Sequence, residues 1–243
     1  MAQWMNLNSA SVHHVTKSGL PTQSWGETTL CGDSLFLHVF QYPADGKLVL
    51  SGMNAEIKEA SFLASGEPLA FRRMNATDWS FQLPKCETAC MDTVIFVRKE
   101  GDIKPGDTRL LLENQPNILL AFDARLSGGN WQHGDGKVSR NYLSNWISKD
   151  MEVTWSVKNN RKACFDVVLE YTGASGQESG QMQLVIDGKA YPFDFKVQSG
   201  KTSRQQIGNV QLKRGSHTIV LQGISYDGKE FLRPMSLTLT STR

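Results

Sequence analysis

The sequence predicts an all-β protein of two domains, and the alternation of its apolar residues is the main reason. Apolar and polar residues alternate with a period of two in several short runs, which is typical of half-buried strands. In residues 151–158, one face collects Met151, Val153, Trp155 and Val157. After the first dozen residues no segment keeps a helical period for three turns. The pattern therefore indicates short antiparallel strands joined by glycine-rich loops.

Asp-Gly pairs separate the alternating runs and indicate how the strands are joined. Further runs of this kind lie at 165–171, 191–197 and 235–239. The Asp-Gly pairs lie at 45–46, 187–188 and 227–228. Because glycine adopts positive φ without strain, such pairs favour tight hairpins. We expect antiparallel strands on both sides of each pair.

Length and charge limit the classes of protein and partner. The chain has 243 residues, which is enough for two modest β domains with a core each. Its formal net charge is only +2 and the charged residues are dispersed, so neither nucleic acid nor an anionic membrane is an expected partner. No apolar run approaches the roughly 20 residues that span a bilayer, and the first residues lack the features of a secretory signal peptide.

A linker-like segment, GDIKPGD at residues 101–107, follows an apolar run at 93–99 and indicates a domain boundary. We therefore predict an N-terminal segment at 1–23, a first domain at 24–103 and a second domain at 107–243. The strands expected in the first domain lie around 35–40, 47–51, 55–63, 69–74, 79–83 and 94–98.

Two motifs near the N-terminus carry a family resemblance. The first motif consists of Trp4, Asn8, Ser9, Val12, His13 and Thr16, and the second of Gly26, Thr29, Gly32, Asp33, residues 35–40 and Pro43. Both resemble segments of glycoside hydrolase family 29 α-L-fucosidases. In that family the first motif lies on the last helix of the catalytic barrel, and the second opens a C-terminal β-sandwich. The resemblance implies that this chain is the fucosidase C-terminal region, with a short remnant of the helix and without the barrel, as in a truncated fragment.

The second domain resembles the carbohydrate-binding-module-like β-sandwiches appended to many bacterial fucosidases. The matching residues are Trp155 and Val157, then Phe165, Val167, Leu169 and Tyr171, then Gly208, Val210, Leu212, Gly215, His217, Ile219 and Leu221. The resemblance implies an antiparallel sandwich of the jelly-roll or galactose-binding-like type. These are mostly core positions, so they support a fold and not a ligand.

Catalysis by this chain alone is not expected. Retaining glycosidases need a nucleophilic carboxylate and an acid/base carboxylate about 5 Å apart. In the family that the chain resembles, the nucleophilic Asp lies upstream of every matching segment. A pair built from Glu170 and Glu178 stays formally possible, but isolated acids are ordinary on strands and loops. The resemblance also implies a parent protein that is periplasmic or secreted.

Sugar binding requires an exposed aromatic face beside amide or carboxylate groups, and the strongest match is Trp131 in the segment SGGNWQHGDGK. The polar groups beside it are those of Asn130, Gln132, His133 and Asp135. Trp146 and Tyr226 are further aromatic candidates. The same residues could instead cap the sandwich, because a large aromatic side chain is more often buried than exposed.

No cofactor is expected. The four cysteines, Cys31, Cys86, Cys90 and Cys164, are too few and too unevenly spaced for a disulfide framework, and Cys86 and Cys90 are read as free thiols in preference to a short bridge. The histidines form no zinc pattern. A structural calcium ion at Asp135, Asp227 or Glu230 is weakly supported, because calcium needs six or more oxygen ligands.

Three functions remain open from the sequence. The first is a non-catalytic fucosidase C-terminal region that supports the barrel and binds a fucosylated or other neutral glycan. The second is a purely structural region, which burial of Trp131 and Trp146 would favour. The third is an independent lectin-like protein.

Overall fold

The computed structural model describes residues 2–85, 92–137 and 140–242. Strands make up 53% of the chain and helices 6%, which confirms the all-β class with one short N-terminal helix. The chain divides into two compact units, Met1–Leu110 and Leu111–Arg243. The domain limits from the sequence, 24–103 and 107–243, stay predictions beside this division. No helix within the described residues is long and apolar enough to cross a membrane.

The first unit is a β-sandwich preceded by helix α1 (Ala2–Asn8) and a 3₁₀ turn at Ser9–Ser11. Its strands are β1 (Thr16–Lys17), β2 (Gly26–Cys31), β3 (Ser34–Val39), β4 (Lys47–Ser51), β5 (Glu56–Phe62), β6 (Ala70–Arg73), β7 (Asp78–Gln82), β8 (Thr93–Glu100) and β9 (Arg109–Leu110). One sheet has the order β1-β2-β3-β8-β5 and the other the order β4-β7-β6, with antiparallel neighbours throughout. The six strands expected from the sequence correspond to β3 through β8.

The core of the first unit collects side chains from both sheets, and in β3, β4 and β7 consecutive residues are buried. Leu37, Leu50, Phe81 and Ile95 are completely buried. Trp25, 1% exposed, also satisfies its indole N–H by donating to the carbonyl of Val49 at 2.8 Å. Burying this N–H without a partner costs free energy, so the bond stabilises the buried ring.

The N-terminal helix is tied to the first sheet through polar contacts. The Trp4 indole donates to the carbonyl of Asp92 at 3.0 Å, and the Asp92 carboxylate lies 3.0 Å from Nδ1 of His38 on β3. The hydroxyl of Thr29 on β2 donates to the carbonyl of Ser11 at 2.7 Å. His38 is itself buried, so these contacts join the helix to the interior of the sheet.

The second unit is also a β-sandwich, and its strands are longer. They are β10 (Asn117–Leu120), β11 (Arg125–Ser127), β12 (Gln132–His133), β13 (Leu143–Ser144), β14 (Glu152–Asn159), β15 (Ala163–Thr172), β16 (Ser179–Ile186), β17 (Lys189–Lys196), β18 (Ser203–Leu212), β19 (Gly215–Asp227) and β20 (Arg233–Ser241). One sheet has the order β10-β20-β15-β18, the other contains the run β11-β14-β19-β16-β17, and β12 pairs with β13.

Only one of the three Asp-Gly pairs makes the hairpin that the sequence predicts. Asp187 and Gly188, with φ of 49° and 82°, join the paired strands β16 and β17. The Asp-Gly pair at 45–46 follows β3, and the pair at 227–228 begins with the last residue of β19. In each case the next strand along the chain belongs to the other sheet of the same unit. The expectation of hairpins there is wrong, because these turns carry the chain across the sandwich.

Gly26 shows why its motif requires glycine. A Cβ atom added at this position would lie 1.8 Å from the carbonyl oxygen of His38 on the neighbouring strand. No side chain rearrangement can relieve a contact with backbone.

We therefore predict that Gly26→Ala lowers the free energy of unfolding of the first unit by about 1–3 kcal/mol, because the β2–β3 pair must separate. Urea unfolding followed by circular dichroism measures this. Gly106→Ala is the control, since a Cβ there meets nothing within 4 Å, and it should change stability by less than about 0.5 kcal/mol. Equal stability of the two variants would contradict the argument.

Candidate functional site

Four loops meet at one end of the second unit, as the strand register requires. Ser127 at the end of β11 pairs with Glu152 at the start of β14. Ser179 is the first residue of β16. It pairs with Lys196, the last residue of β17, and with Asp227, the last residue of β19. The four connections at this end are together named the loop end. The first comprises residues 128–137 and 140–151, and the other three are residues 173–178, 197–202 and 228–232. All the aromatic candidates from the sequence lie on or beside the loop end.

Four aromatic rings are in contact at the loop end. Trp131 meets Trp146 edge to face with ring centroids 4.9 Å apart, and Trp146 lies 5.7 Å from Phe231. Phe231 in turn lies 4.4 Å from Tyr226. The structure thus brings together the three predicted aromatic residues through Phe231, which the sequence analysis did not single out.

Trp131 is half-buried and has a fixed position. Its indole N–H donates to the carbonyl of Ser127 at 3.0 Å, and its ring packs on the core through Trp146. A half-buried ring keeps part of its surface open to solvent, as stacking on a sugar requires.

The prediction that Trp146 is available for stacking on a sugar is wrong, because its side chain is completely buried. Its ring packs between those of Trp131 and Phe231, and its carbonyl accepts the backbone N–H of Phe231 at 2.8 Å. Its indole N–H has no hydrogen-bond partner among the described residues. Trp146 therefore supports Trp131 from beneath and does not itself offer a face to a ligand.

Tyr226 is half-buried on β19, next to Phe231. Its hydroxyl donates to the carbonyl of Ile147 at 3.3 Å. Ile147 is 54% exposed, so the Tyr226 hydroxyl is bonded to a residue that presents apolar surface to solvent.

The polar candidates around Trp131 are all exposed. Within the described part of the chain the side-chain amides of Asn130 and Gln132 have no hydrogen-bond partner, so they are available to a ligand. The His133 ring is packed edge to face against Phe122 with centroids 5.2 Å apart. The Asp135 carboxylate is 2.8 Å from the Arg140 guanidinium.

A buried carboxylate that the sequence analysis considered only for calcium organises this site. Glu230, 5% exposed, accepts the backbone N–H groups of Asn145 at 2.5 Å and Trp146 at 3.2 Å through one oxygen. Its other oxygen accepts the Arg233 guanidinium at 2.6 Å. Asn145 has a φ of 65°, an uncommon conformation for a non-glycine residue, and the Glu230 contact holds it.

A second buried carboxylate stabilises the neighbouring loop, 173–178. Glu178 is completely buried and accepts the hydroxyl of Ser175 at 2.6 Å and the backbone N–H groups of Ser175 and Gly176 at 2.8 and 3.1 Å. Burial acts to raise the pKa of Glu178, but these hydrogen bonds together outweigh it and lower the pKa below its ordinary range.

The remaining predicted residues form no further chemical centre. Glu170 pairs with Arg204 at 2.5 Å and accepts the hydroxyl of Ser236 at 3.1 Å, so it and Glu178 each serve a local structural contact. Among the described residues no three His, Cys, Asp or Glu side chains are grouped to hold a metal ion. Cys31 and Cys164 are free thiols. Cys86 and Cys90 lie outside the described residues.

We predict that Glu230→Gln lowers the free energy of unfolding of the second unit by about 2–4 kcal/mol, because the partly buried Arg233 loses its counter-charge. Tryptophan fluorescence during urea unfolding measures this. Asp227→Asn is the matched control, since Asp227 is exposed, and it should be close to neutral. A neutral Glu230→Gln would show that the contact does not organise the loops.

We also predict an acid-dependent loss of stability from Glu178. Its pKa is lower in the folded state than the ordinary value of about 4.3, so its contribution is complete at neutral pH and is lost as pH falls through the folded-state pKa. Glu178→Gln should therefore be less stable than the parent at pH 7, and the difference should shrink as the pH falls below about 4. A difference that is constant between these conditions would contradict the assignment.

One family model matches the C-terminal part of the chain. Residues 125–243 match the model of a domain of unknown function, DUF5077. No curated protein matches the sequence.

Solved structures give a likeness of fold. The α-L-fucosidase from Vibrio sp. strain EJY3 aligns with 98% of this chain at a TM-score of 0.64 and 15% identity, and the alignment covers 43% of the enzyme. A family 35 carbohydrate-binding module from Clostridium thermocellum aligns with 53% of the chain and 99% of the module, with 18% identity and a TM-score of 0.43. The α-L-fucosidase isoenzyme 1 from Paenibacillus thiaminolyticus aligns with 40% of the chain and 24% of the enzyme, with 27% identity and a TM-score of 0.36.

The Vibrio likeness includes both units, so the fold expected of a fucosidase-related β-sandwich region is present. The chain spans less than half the length of that enzyme.

Proposed function

We propose that this chain is the non-catalytic C-terminal part of an α-L-fucosidase-like glycoside hydrolase, and that the loop end of its second unit binds a neutral glycan. The observation that carries the glycan proposal is the half-buried Trp131 ring. Trp146 packs against this ring edge to face, and the Trp131 indole N–H donates to the carbonyl of Ser127. A rigid aromatic surface of this kind stacks on the C–H face of a pyranose.

The groups around Trp131 fit a neutral, hydroxyl-rich ligand. The free amides of Asn130 and Gln132 can each donate and accept hydrogen bonds, which matches the mixed character of sugar hydroxyls. The nearby Asp135 carboxylate is already paired with Arg140. The site therefore has polar groups without a strong local charge.

A role beside a catalytic domain is supported by the surface of the first unit. Leu7 on α1 is 50% exposed, and a cavity of ≈ 410 Å³ lies between α1 and β8. Its lining residues are Gln3, Trp4, Leu7, Asn8, Phe62, Ala64, Asp92, Thr93 and Val94. The exposed leucine and the open cavity offer another domain a place to pack. The fold likeness to the Vibrio fucosidase supports the same proposal. With it we propose that the parent protein is periplasmic or secreted.

A purely structural role for the second unit is the alternative, and the burial of Trp146 favours it. In that case Trp131 would serve only to cap the core at the loop end. The two proposals differ in whether removal of the exposed part of Trp131 changes binding to glycan.

We predict that the purified chain binds one or more fucosylated or other neutral glycans on an array, and that Trp131→Ala lowers the affinity by about tenfold or more because a stacking surface is lost. Isothermal calorimetry with the best glycan measures the change. Phe40→Ala is the matched control, since Phe40 is a 50% exposed aromatic residue of the first unit, and it should bind as the parent does. The chain should not hydrolyse an aryl α-L-fucoside.

Unchanged affinity in Trp131→Ala would place any binding elsewhere. Absence of binding to every glycan would favour the structural role.

A further inference from the structure

A second groove lies in the second unit, and its lining shares no residue with the four aromatic rings of the loop end. It is bounded by β17 and β18, which are the edge strands of the two sheets and are joined by the connection 197–202. Its volume is ≈ 480 Å³, within the range of small-molecule sites in proteins. None of the candidate ligand-binding residues from the sequence lies in it.

The inner wall of the groove is aromatic and rigid. Tyr171 and Phe195 are each 3% exposed and meet edge to face with ring centroids 6.3 Å apart. The Tyr171 hydroxyl donates to the carbonyl of Lys196 at 3.3 Å. Burial raises the pKa of Tyr171 above its ordinary value, so this hydroxyl stays neutral at physiological pH.

The rim of the groove is polar, and several of its groups are unused. In the described part of the chain the side chains of Lys196 and Gln198 have no hydrogen-bond or ion-pair partner, and both are exposed. The amide nitrogen of Gln205 donates to a carbonyl at 3.0 Å, which leaves its amide oxygen as an acceptor.

The charges on the rim cancel. Arg204 is neutralised by Glu170 at 2.5 Å, and Lys196 shares the rim with the carboxylate of Asp194. A site without net charge has no preference for an anion such as phosphate. An extended peptide added along β17 is also disfavoured, because Pro192 removes one backbone donor from that edge.

We propose that the β17–β18 groove is a second ligand site, and that it takes one neutral pyranose residue. The unpaired amide of Gln198, the amide oxygen of Gln205, the rim hydroxyls and rim charges that cancel supply donors and acceptors for the ring hydroxyls, while the rigid wall fixes the shape. This site is separate from the one at Trp131, and two sites on one unit would raise the affinity for a branched or long glycan through effective concentration.

The test is a titration of the ¹⁵N-labelled full chain with the methyl glycosides of L-fucose, D-galactose and D-mannose, followed by amide chemical shifts. We expect saturable shifts at Gln198, Thr202, Ser203 and Gln205 with at least one glycoside. The double variant Lys196→Ala/Gln198→Ala should weaken this binding by about tenfold. Both side chains are exposed, and unchanged unfolding would show that the fold is intact.

Two control variants separate this proposal from the glycan site at Trp131. Gln206→Ala alters an exposed amide on β18 outside the groove and should bind as the parent does. Trp131→Ala should leave the shifts at Gln198 and Gln205 unchanged, whatever it does to the loop end. The proposal is overturned if no glycoside shifts these amides up to millimolar concentrations, if the double variant binds normally, or if only inorganic phosphate or a short peptide produces the shifts.

Discussion

Glu230 connects two segments that are far apart in sequence, and the loop end of the second unit depends on that contact. Its carboxylate holds the backbone of Asn145 and Trp146 with one oxygen and Arg233 with the other. Because Trp146 is placed by this contact, so are the rings that pack on it, Trp131 and Phe231. A buried carboxylate is stable only when its charge is balanced and its lone pairs are used. Glu230 meets both conditions, and it positions the aromatic rings of the candidate glycan site through Trp146.

Local patterns predicted the strands well, because alternation is a property of adjacent residues. The alternating runs at 165–171 and 191–197 correspond to β15 and β17, and Asp187 with Gly188 makes the expected hairpin between β16 and β17. The other Asp-Gly pairs were misread because the sequence near a turn does not state which sheet receives the next strand. The class of fold followed from the same alternation and did not need those two turns.

The candidate site was less predictable, since burial depends on distant residues. Trp131 and Trp146 look alike in sequence, each in a polar, glycine- or serine-containing segment. Only the packing of Trp146 against Phe231, 85 residues further along the chain, distinguishes the buried ring from the half-exposed one. Glu230 likewise acts on Asn145 across 85 residues. A single acidic residue near a turn gives no sign of such a partner, so sequence reasoning could assign it only to a metal.

The bond from the Trp131 indole to the carbonyl of Ser127 has a further consequence for recognition. A free tryptophan side chain on a loop would adopt several rotamers, and a ligand would have to select one of them at a cost in entropy. Here the indole bond and the packing against Trp146 give the ring one position in the folded protein. A ligand that stacked on this ring would require little rearrangement of the protein, and selectivity at such a site would come from a fixed shape and not from adaptation.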